Sequence, residues 1–90
     1  MLVKFFATYR QISGCNQCDI SGPSSVLELL EEVSRRWPAF RPLVLNEAGT
    51  EKGEDAIILV NGRHIEHLEG VHTALSEADY VALTPLVAGG

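Results

Sequence analysis

Ninety residues with 46% hydrophobic and 21% charged content describe one small globular domain with a modest core, which excludes a disordered chain and a multidomain one. Seven lysines and arginines against twelve carboxylates give a net charge of −5, which argues against gripping a nucleic-acid backbone and suits a basic protein partner. The longest aliphatic run, residues 56–60, is far short of a membrane span and no basic-then-apolar leader opens the chain, so a cytoplasmic protein without membrane contact is expected.

Residues 2–8 are rich in strand formers, with Val3, Phe5 and Ala7 on one face. Phe6 points the other way beside Lys4 and Thr8, either as a partner contact or as a ring packed under a loop. A turn around Gly14 predicts a second strand through Cys18 to Ile20, and the Gly-Pro-Ser-Ser of residues 22–25 breaks the chain. Ser25 with Glu28 three residues on forms a capping-box pattern, so a helix is expected from Val26. Val26, Leu29, Leu30, Val33 and Trp37 form its apolar stripe, and Pro38 ends it by pushing the preceding residue out of helical geometry.

Residues 40–45 predict a short second helix, followed by a polar, glycine-containing stretch over 46–55. Residues 57–60 read as a strand buried on both faces. Asn61-Gly62 is a strong hairpin signal, with Ile65 and Leu68 continuing the pairing. A turn at Gly70 and a packed Leu75 lead to a last strand over 80–84. Strands flanking one main helix give an α+β fold, a mixed sheet with the helix across one face.

Cys15 and Cys18 form a C-x-x-C spacing in the first turn. Such a spacing serves as half a zinc site, as a redox pair or as two inert surface thiols. His64, His67 and His72 could complete a metal site only across a gap unlike that of a zinc finger, so they read as exposed hairpin residues and no metal is expected. No paired carboxylates and no Ser/His/Asp spacing stand out, and the many glutamates read as solvated surface.

Residues 1–85 are expected to form the domain and 86–90 a flexible tail. From Leu86 the chain narrows through Val87 and Ala88 to Gly89 and Gly90. Those five residues reach ~17 Å when extended. The two without a Cβ can pass a narrow channel and bring a terminal carboxylate to another protein's active site. A frayed end is the plain alternative.

The run Ile58-Leu-Val-Asn-Gly-Arg63, then Leu75, Asp79, Val81-Ala-Leu83 and the closing Val87-Ala-Gly-Gly90, resembles the ubiquitin-like sulfur carriers. These include the small subunit of molybdopterin synthase and the thiamine-biosynthesis sulfur carrier. The opening Val3-Lys-Phe-Phe-Ala7 with Arg10 and Gly14, the 25–38 helix and the overall length resemble the molybdopterin branch in particular. The chain departs from that pattern at Thr84, often aromatic, and at Leu86, often proline, both positions lying against the partner subunit. Glu77-Ala-Asp79 stands where the family has Asp-Gly-Asp.

The resemblance implies a β-grasp topology with the first and last strands parallel at the centre of the sheet. It also implies a carrier rather than an enzyme. A ubiquitin-activating-type adenylyltransferase spends ATP to turn the Gly90 carboxylate into an acyl adenylate, and a persulfide donor then supplies sulfur to give a thiocarboxylate. Gly89, Ala88, Val87 and Leu86 thread the tail into the pocket of a molybdopterin synthase large subunit or an equivalent acceptor, where the sulfur attacks the precursor. The carrier holds no cofactor of its own. Phe6 and Thr84 are the implied partner contacts. Thiamine or cysteine synthesis are alternative destinations, and conjugation of Gly90 to protein lysines is the alternative function.

Overall fold

The computed structural model describes residues 1–86, so the expectations for Val87, Ala88, Gly89 and Gly90 lie outside the described residues. In chain order the elements are β1 (Leu2–Phe5), α1 (Thr8–Ser13), β2 (Gln17–Asp19), α2 (Val26–Arg36), α3 (Arg41–Val44), β3 (Ala56–Val60), β4 (Arg63–His64) and β5 (Tyr80–Pro85). Single 3-10 turns fall at Pro38–Phe40, Ile65–His67 and Gly70–His72. The strands form one mixed sheet in the order β2-β1-β5-β3-β4. β1 and β5 run parallel, and every other neighbouring pair is antiparallel. This is the α+β, ubiquitin-like β-grasp arrangement. No helix among the described residues is long and apolar enough to cross a membrane.

Alternation along the strands places two rows of side chains on the inner face. Val3 sits opposite Val81, which sits opposite Val60; Phe5, Leu83 and Ile58 form the next row. These six are buried, and α2 lays Val26, Leu29, Leu30 and Val33 against them. The helix starts where its sequence predicts: the Ser25 side chain accepts the Glu28 N–H at 3.2 Å, a cap worth about 1 kcal/mol. The Glu28 carboxylate reaches back to the N–H and hydroxyl of Ser24, at 3.0 and 3.1 Å, one residue before the reciprocal partner of a capping box. Trp37 lies just past the helix in an extended conformation, half-buried, with its ring edge-on to Phe5 at 5.4 Å.

Several local expectations need correction. The chain does not run from β1 through a simple turn into β2. Ala7 takes a positive φ of 52°, which ends the strand and leaves Ala7 exposed, and α1 follows. Thr8, Tyr9 and Ile12 favour strands, and α1 lacks a side-chain cap, so its sequence carries little helical signal. Its stabilisation is tertiary: Tyr9 is buried and meets Phe40 edge-on at 5.3 Å.

β3 is not buried on both faces. Ala56, Ile58 and Val60 are buried while Ile57 and Leu59 are half-buried, because α2 covers only one side. β4 is two residues long, and Ile65 leaves the ladder for a 3-10 turn that carries it into the core; Leu68 packs against that core without pairing.

The short helix expected over 40–45 is present as α3, preceded by a 3-10 turn. Its far end is closed by Gly53, whose N–H donates to Val44 O at 2.9 Å. A Cβ on Gly53 would overlap the Leu43 carbonyl oxygen, so only glycine allows this approach.

Candidate functional site

The outer face of the sheet and the root of the tail are joined by β5. Cross-strand partners share a face, so Lys4, Ala82 and Leu59 form one outer row and Thr84 with Ile57 the next. Phe6 follows β1 at the same end. Its N–H donates to Leu83 O at 3.1 Å, its ring is 37% exposed, and the Lys4 ammonium lies 5.2 Å from the ring centroid. Of the two alternatives for Phe6, packing under a loop is not what the structure shows. Thr84 is half-buried beside Ile57, and its hydroxyl stands 3.4 Å from Pro85 O.

Beyond Thr84 the strand ends at Pro85, and the Leu86 N–H donates to Asp55 O at 2.7 Å. The Leu86 side chain is 57% exposed. It borders a groove of about 350 Å³ lined by Tyr9, Pro42, Leu43, Asp55 and Pro85, among others. Leu43 lines this groove, while Ile57 and Leu59 lie on the outer face of the sheet; none of the three was singled out by sequence. For Ile57 and Leu59 the strand's alternation held the signal; for Leu43 nothing local distinguishes an exposed leucine from a core one.

The motif residues that carry the family resemblance position this surface rather than perform chemistry. Asn61 and Gly62 both take positive φ, 52° and 84°, as a tight hairpin turn requires. The Asn61 amide donates to Asp79 Oδ1 at 2.9 Å and accepts the Tyr80 N–H at 2.9 Å, while its own N–H donates to Tyr80 O at 2.7 Å. Asp79 also accepts the Ser76 N–H at 2.8 Å. The Asn61 side chain and then the Ser76 N–H hold the Asp79 carboxyl below its ordinary range. Together these bonds set where β5 begins and hence where the tail leaves. Ala78 has no positive φ, so the turn that usually carries glycine closes here without one.

Glu77 ties the same turn to the start of the chain. Its carboxylate accepts the Gly22 N–H at 3.1 Å and the Met1 amino group at 3.3 Å. The Gly22 bond first, then the Ser21 side chain and the amino group, lower its pKa.

Cys15 lies in the loop after α1 and Cys18 in β2; both are free and half-buried. His67 and His72 are exposed, whereas His64 is half-buried, correcting its reading as an exposed hairpin residue. It lies opposite Leu59 with its ring 6.3 Å from that of His67. Among the described residues no group of three or more His, Cys, Asp or Glu stands close enough to hold a metal.

The ThiS family model matches residues 3–90. The chain belongs to the ThiS family of ubiquitin-like sulfur carriers. Small archaeal modifier protein 3 of Haloferax volcanii is 29% identical to this ThiS-family chain over 90 residues, covering 98% of it and 96% of the relative. The solution structure of small archaeal modifier protein 1 from Methanosarcina acetivorans is 32% identical, with a TM-score of 0.86 over 99% of this chain and 94% of that one. A Pyrococcus furiosus structure provisionally described as molybdopterin converting factor subunit 1 is 32% identical, with a TM-score of 0.77 over 96% of this chain and 95% of that one. ThiS-family relatives thus include both carriers and modifiers built on one fold.

Proposed function

We propose that this protein is a sulfur carrier for molybdopterin synthesis, loaded at the Gly90 carboxylate and acting as the small, non-catalytic subunit of a synthase. The observation that carries the reading is the family match running through residue 90, so that the Gly89-Gly90 pair falls inside the matched pattern. The 32% identity to a protein described as a molybdopterin converting factor supports the destination.

A carboxylate is a poor electrophile because attack would have to expel oxide. ATP spent by a ubiquitin-activating-type adenylyltransferase gives an acyl adenylate. The outer sulfur of a persulfide donor then attacks the acyl carbon and expels AMP. A second thiol cleaves the resulting acyl disulfide, releasing the thiocarboxylate and leaving the donor sulfur in a disulfide with that thiol. No general base of the carrier enters this scheme. Its part is mechanical: the outer face with Phe6, Leu59 and Thr84 docks the partner, and Leu86 to Gly89 lead the last carbonyl into the partner's pocket. No cofactor is held by the chain itself, and the cytoplasm supplies ATP.

A second reading is conjugation of Gly90 to lysines of other proteins, favoured by the identity to two small archaeal modifier proteins, 29% and 32%. Both readings need the same adenylation. Fragment mass spectrometry of protein isolated from its host separates them. Exchange of one oxygen for sulfur, localised to Gly90, is expected for the carrier, whereas an isopeptide-linked ladder marks the modifier. A variant extended by one residue beyond Gly90, and shown not to be trimmed, loses all product formation on either reading. Normal activity from that variant rules out both.

A further inference from the structure

The Asn61-Gly62 turn carries a reactive group that the sulfur-carrier reading leaves unused. The chain has three asparagines, Asn16, Asn46 and Asn61, and only Asn61 is followed by a residue without a side chain. Both turn residues are exposed, and a Cβ added to Gly62 would meet nothing within 4 Å, so the space beside it is open. What is held is the Asn61 amide. Its Nδ2 donates to Asp79 Oδ1 at 2.9 Å and its Oδ1 accepts the Tyr80 N–H at 2.9 Å, so both ends of the amide are tied to the start of β5. Asp79 is itself fixed, because Oδ2 accepts the Ser76 N–H at 2.8 Å. An amide held at both ends cannot swing its Cγ onto the Gly62 nitrogen without losing those bonds, one of them to a charged group.

We propose that Asn61 is a modification site at which water replaces the side-chain amide nitrogen, restrained by the Asp79 clamp, and that the product unfastens the start of β5. The Gly62 nitrogen, its proton lost to hydroxide, attacks Asn61 Cγ; the new N–C bond forms, the Cγ–Nδ2 bond breaks, and ammonia leaves with a proton from water. Water then opens the cyclic imide. Addition at Cγ gives aspartate on an unchanged backbone, and addition at the main-chain carbonyl carbon gives isoaspartate, with the backbone routed through the side chain. One water is consumed and one ammonia released, and nothing is oxidised or reduced. Aspartate sets a carboxylate against that of Asp79 where a donor stood, and like charges repel. Isoaspartate lengthens the backbone by a carbon between Val60 and Arg63, which pair across the turn. Both products weaken the fastening of Tyr80, and with it the point from which the tail leaves.

The test uses the full chain, incubated at mildly alkaline pH both folded and in urea, then digested and analysed by fragment mass spectrometry. Conversion is read as the mass difference between amide and acid at Asn61, with the isoaspartate peptide separated by chromatography. In the folded wild type Asn61 is expected to convert while Asn16 and Asn46 stay intact. Its rate should be roughly one-tenth of that in urea, the factor that one hydrogen bond to a charged group is worth. Asp79→Ala, shown folded by circular dichroism, should convert roughly tenfold faster than the folded wild type. Asn61→Asp supplies one product directly, and its urea midpoint should fall below that of the wild type at neutral pH. The exchanged pair, Asn61→Asp with Asp79→Asn, should regain that loss, because donor and acceptor have only changed places. An Asn61 that stays intact when folded, converts as fast folded as in urea or keeps its rate in Asp79→Ala overturns the proposal. So does a midpoint that Asn61→Asp leaves unchanged or that the exchanged pair does not restore.

Discussion

The two faces of one sheet are built from the same strands and do opposite work. On the inner face, Val3–Val81–Val60 and Phe5–Leu83–Ile58 are covered by α2 and almost wholly buried. On the outer face no helix is laid, so Leu59 and Ile57 remain half-buried and Phe6 stands exposed beside Lys4. Neighbouring residues at the end of β1 thus differ: Phe5 is wholly buried in the core, whereas Phe6, just past the strand, is partly exposed. A strand that is apolar on both faces is fully buried only on the side that has a covering layer.

The sharpest way to break this contrast is to remove the two neighbouring rings. Phe5→Ala should lower the unfolding free energy by about 3–5 kcal/mol, since it empties a position packed by Trp37 and Phe40. Phe6→Ala should cost less than about 1 kcal/mol, as expected of a surface change. Urea titrations of both variants decide the matter; equal losses would mean that Phe6 is a core residue and that the contrast between faces fails.

The next effect is smaller and tests recognition alone. Phe6→Ala should weaken binding to the activating adenylyltransferase by roughly tenfold while leaving the melting temperature near that of the wild type. Calorimetric titration of the purified pair would show it. Unchanged affinity would move the docking surface elsewhere, with the groove at Leu43 and Leu86 as the next place to mutate.

The smallest effect concerns the turn that sets where β5 begins. Asp79 is held below its ordinary value of 3.8 by the Asn61 amide and the Ser76 N–H, so its carboxylate stabilises the fold above that pH. The contribution is lost as pH falls through the lowered folded-state value. Wild type should therefore exceed Asp79→Asn in urea midpoint at neutral pH, and the gap should close as pH falls below the ordinary aspartate range. A gap independent of pH would show that the charge on Asp79 is not what secures the turn.

Much of this was readable in the sequence because the signals act within a few residues. Ser25 and Glu28 announce the start of α2, its apolar stripe selects the face it buries, and Asn61-Gly62 marks the hairpin through positive φ values that few other pairs accept. The chemistry expected at Gly90 likewise came from residue type and the family pattern, with no need of coordinates. Other features depend on distant neighbours. α1 has strand-forming residues and no cap, and it is a helix because Phe40 receives Tyr9. Ile65 leaves the ladder because the core takes it. The half-exposure of Leu59 and Ile57 follows from α2 covering only the opposite side of the sheet. Local preferences settle which elements can form; which face stays open is settled only when the whole chain has packed, because burial is a property of what lies across the gap.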